Sequence, residues 1–487
     1  MTEAARRTSP RIIAVHTATF RQARQLVPLA IPALAGIGLG GGRWTIAGLV
    51  VAVTLVSLAT AVLSWWRFSY LDAPGAVVVT RGLLSRSVRT VPTDRIRGVE
   101  VEAPPLHRLL GLVRVRIDAA AGGTGTAEEE LVIDGVASAE GDRLRTAVLS
   151  RRGRPAADDE SPAPPEPEEE FARFDNRWLL YAPLVGSYLA VPLAGLGALS
   201  RFADELPGRQ LPEVDGALLA EPAVVVGIVA LALVLLAAGA VVGAAVVNWR
   251  FRLLRRGGSL VAVRGLLTRR HSELELDRIR GVAVADGAGM RLARAARVNA
   301  LVTGLADAHR RGQLLPLGPA AAAEALARRL VDDPGPLARH PAAARRRRLA
   351  RAVAGGLVVT AAGAVLTATA GWWPLLVAGV VLTALGVPLG LGRYASLGHA
   401  AGPRSFAVRA GWLVRERAVL ERRAVVGWRV EQSWFQRRAG LASAVACVGA
   451  GRGGYTALDL AAGDVAPFAL AASEPWAAAL TRDDQET

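Results

Sequence analysis

Six stretches of this chain contain no Asp, Glu, Lys or Arg: approximately Leu26–Gly42, Ile46–Ser64, Trp178–Leu199, Pro222–Val247, Ala352–Ala370 and Pro374–Leu391. Each is near the length that crosses about 30 Å of hydrocarbon at about 1.5 Å per residue. The first is the shortest and carries Pro28, Pro32 and several glycines. Prolines are tolerated in lipid where neighbouring groups satisfy the freed backbone. The blocks therefore read as six membrane spans in three pairs.

The connectors fix the pairing. Arg43–Thr45 and Gly371–Trp373 are too short for anything but antiparallel hairpins, whereas Ser200–Glu221 is longer and acidic. The opposite flanks are basic: Arg6, Arg7, Arg11, Arg21 and Arg24 before the first span, Arg67 after the second, Arg250 and Arg252 after the fourth, Arg339 and Arg345–Arg348 before the fifth, and Arg393 after the sixth. By the positive-inside rule, both termini and the soluble segments face the cytoplasm, and the hairpin tips face out. Trp44, Trp65, Trp66, Trp178, Trp249, Trp372 and Trp373 mark span borders, where an aromatic ring with an N–H suits the headgroup region.

The net charge of +16 is carried by arginine alone, since the sequence has no lysine, and it coexists with a positive mean hydropathy of +0.31. Because the arginines cluster beside apolar spans, they point to anionic lipid and not to nucleic acid. Catalysis requires convergent reactive groups. His16, His107, His271, His309, His340 and His399 are scattered, with no HExxH, and Cys447 stands alone. Neither Gly40–Gly42 nor Gly451–Gly454 has the spacing of a phosphate loop. No enzyme activity, metal or cofactor is expected. The absence of charge inside the spans argues against ion-coupled transport.

After each pair of spans one pattern returns. It runs AVVVTRGLLSRSVRTVPTDRIRGVEVE from Ala76, SLVAVRGLLTRRHSELELDRIRGVAVA from Ser259, and SFAVRAGWLVRERAVLERRAVVGWRVE from Ser405. The first two share Arg-Gly-Leu-Leu at 81–84 and 264–267, and Asp-Arg-Ile-Arg-Gly-Val at 94–99 and 277–282. The third keeps Gly411, Leu413 and Val425 but lacks Asp-Arg-Ile. Repetition at this scale marks a unit that folds as a module. Alternation over Ala76–Thr80, Val99–Val101 and Val113–Ile117 predicts strands, and Gly82 and Gly265 fall where a hairpin requires positive φ. Helical stretches close the copies at Ala139–Val148, Pro319–Val331 and Val465–Leu480. Several strands and one covering helix suggest a small open barrel or two orthogonal sheets. The Pro- and acid-rich Arg151–Glu170 reads as a linker.

The run Val91-Pro92, Asp94-Arg95-Ile96, Pro105-Leu106 and Arg108-Leu109-Leu110-Gly111-Leu112, following a helix pair and an aromatic-Arg element, resembles the bacterial PH-domain membrane proteins of the YdbS/YdbT type. The three-copy form is similar to the YdbT-like members. The family's Q-S-x-x-Q-R-x-x-G-L-A segment stands intact as Gln432–Ala442; copy one lacks both glutamines, and copy two, Met290–Val298, is the most eroded. The resemblance implies one split barrel like that of pleckstrin-homology domains per repeat, and supplies no catalytic residues.

The expected fold is a multi-pass α-helical membrane protein, six spans in three hairpins, with three cytoplasmic PH-like split β-barrels, each capped by a helix. The expected boundaries are 1–65 (tail and hairpin), 66–150 (PH-like), 151–177 (linker), 178–248 (hairpin), 249–338 (PH-like), 339–392 (basic segment and hairpin) and 393–487 (PH-like). The expected function is a non-catalytic scaffold or binding protein at the inner face of the cytoplasmic membrane. The resemblance links it to envelope stress or defence against membrane-active peptides. The alternative is part of a transporter or exporter for a small amphiphile, which a polar cavity between spans would favour and tight Ala/Gly packing would oppose. Gln432, Trp434, Gln436 and Arg437 combine amides, a ring and a cation suited to a protein interface. Arg345, Arg346, Arg347 and Arg348 form a candidate membrane-surface cluster. The expected partners are membrane lipids and another membrane or cytoplasmic protein, a smaller single-repeat family member being one candidate.

Overall fold

The computed structural model describes residues 6–18, 43–73, 75–82, 86–93, 96–119, 130–150, 168–204, 221–303 and 312–474. Among these, three helices are long and apolar enough to cross a membrane: Pro222–Asn248, Ala342–Ala370 and Pro374–Ala395. The expected span Trp178–Leu199 is not one straight helix. A 3-10 turn, Asn176–Leu184, meets the helix from Gly186 at 78°. Pro183 lacks an N–H for a helical ladder and Val185 is extended, so the chain bends between them. The expected second span falls within the 25-residue helix Arg43–Arg67, while the expected first span, Leu26–Gly42, lies outside the described residues.

Glycine sets the contact between Ala342–Ala370 and Pro374–Ala395. A Cβ at Gly356 or Gly363 on one helix, or at Gly379, Gly386 or Gly390 on the other, would run into the opposite backbone. Thr360 and Thr383 meet across this seam at 3.3 Å, and each also bonds the carbonyl four residues back.

Each repeat contributes two groups of three antiparallel strands. Repeat one has β1 (Ser69–Ala73), β2 (Ala76–Arg81) and β3 (Ser87–Pro92), then β4 (Ile96–Ala103), β5 (Leu112–Ala119) and β6 (Glu130–Ala137). After β7 (Glu168–Arg173), repeat two supplies β8 (Arg252–Arg256), β9 (Ser259–Arg264) and β10 (Arg269–Glu275), then β11 (Ile279–Gly287), β12 (Ala295–Val302) and β13 (Gln313–Pro319). Repeat three has β14 (Gly398–Ala401), β15 (Ser405–Ala410) and β16 (Val414–Glu421), then β17 (Val425–Glu431), β18 (Leu441–Val448) and β19 (Gly454–Ala461). Helices Ser138–Ser150, Ala320–Leu330 and Val465–Ala471 follow the sixth strands. Gly82, Gly265 and Gly411 turn the second strand into the third with φ of 133°, 108° and 103°, and a Cβ at Gly265 or Gly411 would strike a carbonyl of the same turn. That is why glycine stands at this point in all three copies.

The strands do not close repeat by repeat. The seven-stranded sheet runs β6-β5-β4-β10-β9-β8-β7 and the six-stranded sheet β13-β12-β11-β16-β15-β14, while β1-β2-β3 and β17-β18-β19 remain three-stranded. The fourth strand of one repeat thus pairs with the third strand of the next. An open sheet edge carries unpaired N–H and C=O groups, and these junctions satisfy them. The chain accordingly divides into two compact units, Met1–Phe171 with Arg250–Glu273 and Ala172–Trp249 with Leu274–Thr487, and the division passes through repeat two. In the first unit, Tyr70, Val77 and Val79 share a core with Ile96, Val115 and Ile133, so both sheets of repeat one bury their inner faces together. In the second, Phe406 and Leu420 do the same with Ala444, Leu460 and Phe468 of repeat three.

Candidate functional site

A five-residue helix separates the fourth and fifth strands of every repeat: Pro105–Leu109, Ala288–Leu292 and Trp434–Arg438. The third contains the glutamine-rich segment. Ser433 caps it by accepting from Gln436 N at 3.3 Å, and Gln436 Oε1 accepts from Ser433 N at 2.9 Å, a reciprocal capping box. Gln432 Nε2 donates to Leu441 O at 2.9 Å, which ties the helix to β18. Gln436 is buried, and its Nε2 donates to Ser443 Oγ and Asp459 Oδ1, both at 2.9 Å. Both glutamines are therefore engaged within the domain. Trp434 and Phe435 are exposed, pack edge to face on each other, and Trp434 carries the Arg438 guanidinium 4.9 Å above its ring. Arg437 is exposed beside them.

Asp459 is fully buried and has φ of 57° at an irregularity in the β18–β19 pairing. An Asp tolerates this left-handed conformation better than most residues. Its two oxygens accept from Arg347 Nη1 at 2.5 Å and Arg348 Nε at 2.8 Å, both on the first turns of the membrane-length helix Ala342–Ala370. A charge in such a place is stable only when paired and hydrogen-bonded. The four-arginine cluster is thereby divided. Arg345 and Arg346 are exposed, while Arg347 and Arg348 turn inward to the same carboxylate that holds Gln436. His340, just ahead of that helix, stacks its ring edge to face on His399 and places Nδ1 3.2 Å from Asp459 O. Burial pulls both histidines below their ordinary value, His399 to about 4 with a further push from His340.

Repeat one builds the same node from different residues. His107 occupies the place of Gln436, three residues into its helix, and its Nε2 donates to Asp134 Oδ1 at 2.8 Å. Asp134 also accepts from Arg114 at 3.0 Å and from His16 at 3.4 Å, the latter on the helix Ile12–Ala18 of the N-terminal segment. Burial opposes the charge on Asp134, but the bonds from His107, His16 and Arg114 outweigh it and hold the carboxyl far below its usual range. Ile12 and Val15 pack on Leu112 beside it. Repeat two makes the node apolar. Met290 stands at the glutamine position and Leu317 at the Asp459 position, both buried. Here Gly289 lies against Leu184 and Gly318 against Trp178, so the 3-10 turn before the bent helix docks at the corresponding place.

Sequence reasoning placed Gln436 and the arginines on separate sites, and it missed Asp134 and Asp459. The available signal was a carboxylate inside a mostly apolar sixth strand. The structure also uses two of the border tryptophans internally: Trp65 Nε1 donates to Thr8 O at 2.9 Å, and Trp178 packs edge to face on Phe174. Among the described residues, no group of three or more His, Cys, Asp or Glu side chains could hold a metal ion.

The family described as Bacterial PH domain matches the chain three times, over residues 22–152, 207–333 and 354–463, which together take in most of its length. The chain belongs to the bacterial PH domain family. Each match joins a helical segment to one set of six strands, so the repeated unit of this bacterial PH protein is helix and sheet together. UPF0699 transmembrane protein YdbT of Bacillus subtilis (strain 168) is 24% identical over 159 residues, 31% of this chain and 31% of that protein. The resemblance to the YdbT type is borne out, although the match spans only about a third of that relative. No solved structure matches the chain.

Proposed function

We propose that this bacterial PH protein is a non-catalytic scaffold of the bacterial cytoplasmic membrane, with six spans in three hairpins and its PH-like sheets on the cytoplasmic side. One observation carries the reading: in every repeat the sixth strand, beside the short helix, holds the segment that leads into the membrane helices. Asp134 holds His16, Asp459 holds Arg347 and Arg348, and Gly289 and Gly318 receive Leu184 and Trp178. A domain fixed to its own anchor in this way presents a surface at a set height above the bilayer. The glycine seam between Ala342–Ala370 and Pro374–Ala395 supports a scaffold over a transport path, because backbones that touch leave no room for a polar channel along that seam.

The presented surface in repeat three is Trp434, Phe435, Arg437 and Arg438, suited to a protein partner because aromatic and arginine side chains dominate binding energy at interfaces. A smaller single-repeat family member is the partner this reading names first. Arg345 and Arg346 meet the anionic headgroups.

A photoreactive residue at position 434 of the full chain, activated in intact membranes, tests the surface. A protein adduct is expected. Adducts with lipid alone reassign the surface to the bilayer, and no adduct of either kind overturns it. Orientation is read separately by thiol labelling in the Cys447→Ser background: Gly208→Cys should react from outside with an impermeant reagent, and Ser161→Cys only after the membrane is breached.

A further inference from the structure

Two of the three fourth strands carry a neighbour on their outer edge, and both neighbours sit in one register. Arg269 lies opposite Ala103 where β10 meets β4, and Arg415 lies opposite Asp286 where β16 meets β11. Arg269 and Arg415 each stand four residues after their hairpin glycine, Gly265 or Gly411. Ala103 and Asp286 each stand five residues after the strand glycine, Gly98 or Gly281. The repeat thus encodes an edge and its complement. Each junction also places opposite charges together, Arg270 with Glu102 at 3.1 Å and Arg415 with Asp286 at 2.7 Å.

In the first and last repeats the rule is left incomplete. Among the described residues, β17, the fourth strand of repeat three, ends its sheet, and β3, the third strand of repeat one, ends its own. Carrying the register over sets Arg86 opposite Gln432, Ser87 opposite Glu431, Val88 opposite Val430 and Arg89 opposite Arg429. Val88 and Val430 are both solvent-exposed, at 53% and 58%, and this register brings the two β-branched side chains face to face. Open strand edges with exposed apolar side chains invite a further strand.

We propose that the β17 edge of one chain takes the β3 edge of a second copy, antiparallel and in the register of the internal junctions. The contact is head to tail, so it propagates into a ring or an open row of chains in the membrane plane. Its one opposed pair of like charges, Arg89 with Arg429, makes the register testable.

The experiment mixes full-length chains in mild detergent, one bearing Ser87→Cys and the other Glu431→Cys, both in the Cys447→Ser background, with a short bifunctional thiol reagent. The expected result is a cross-linked pair in the mixture and none in either chain alone. Arg89→Glu or Arg429→Glu, added singly, should raise the cross-linked fraction about 1.4- to 5-fold, since a cross-strand pair is worth roughly 0.2–1 kcal/mol. The two together restore like charges and should return it to the starting level. No cross-link above the single-chain controls overturns the proposal, as does a charge cycle that leaves the yield unchanged. A chain that stays monomeric at all concentrations by light scattering overturns it as well.

Discussion

Gln436 Nε2 lies 2.9 Å from Asp459 Oδ1, and the same carboxylate binds Arg347 and Arg348, so one buried charge joins the glutamine-rich helix of repeat three to the start of a membrane-length helix. A binding segment and a basic cluster that look independent in sequence are two sides of one node.

Removing the node's charge should cost more than removing its exposed neighbours. Asp459→Ala leaves two largely buried guanidiniums facing each other without a counter-ion, and breaking a buried ion pair in this way costs about 3 kcal/mol. Arg345→Gln with Arg346→Gln touches only exposed cations and should leave the melting temperature unchanged while weakening flotation on anionic vesicles. Thermal unfolding of the detergent-solubilised chain, read against vesicle flotation, separates the two.

The short helices end at Gly111, Arg294 and Gly440, all with positive φ, of 69°, 51° and 62°. Only repeat two puts a side chain there. Left-handed backbone costs a non-glycine residue about 1–2 kcal/mol, partly offset by the extra chain entropy that glycine brings to the unfolded state. Arg294→Gly should therefore stabilise the protein, by about 0.5 kcal/mol, and Gly440→Arg should do the reverse. Denaturant midpoints of the two variants check the sign.

His399 is neutral in the fold, with its value pulled down from 6.5 to about 4, first by burial and then by His340. The unfolded chain takes up that proton first. Stability is thus fully present above about pH 6.5 and is lost as pH falls toward 4. Melting temperatures between pH 7 and pH 4.5 should decline, and less steeply in His399→Phe, whose ring can keep the edge-to-face contact with Phe468.

How much of this was readable beforehand follows from what each feature depends on. The repeat, the hairpin glycines Gly82 and Gly265 and the closing helices are local, so alternation and punctuation revealed them. The fusion of β4 with β10 and of β11 with β16 is a pairing between repeats. Strands of identical pattern do not announce which neighbour they will take. The node escaped for a related reason: His107 and Gln436 are chemically unlike, and their shared role appears only once Asp134 and Asp459 are placed beneath them. The bend before Gly186 was signalled by Pro183, although the uncharged run of residues around it favoured a straight span.

The glycine seam gives the last expectation. Gly356 and Gly363 are seven residues apart on one helix, Gly379 and Gly386 seven apart on the other, and each faces backbone across the pair. In lipid there is little hydrophobic drive between helices, so this close approach, with the Thr360–Thr383 contact, holds the hairpin together. Gly379→Leu would insert a side chain where Thr360 now lies and must part the helices. Arg347 and Arg348 sit on the same helix as the seam, so the displacement should also loosen the Asp459 node. We expect Gly379→Leu to raise hydrogen exchange both along the helix pair and in β19 around Asp459. Gly355→Leu, at a position with open space around it, should change neither. Exchange that rises in the helices while β19 stays protected would show that the node holds its anchor independently of the seam.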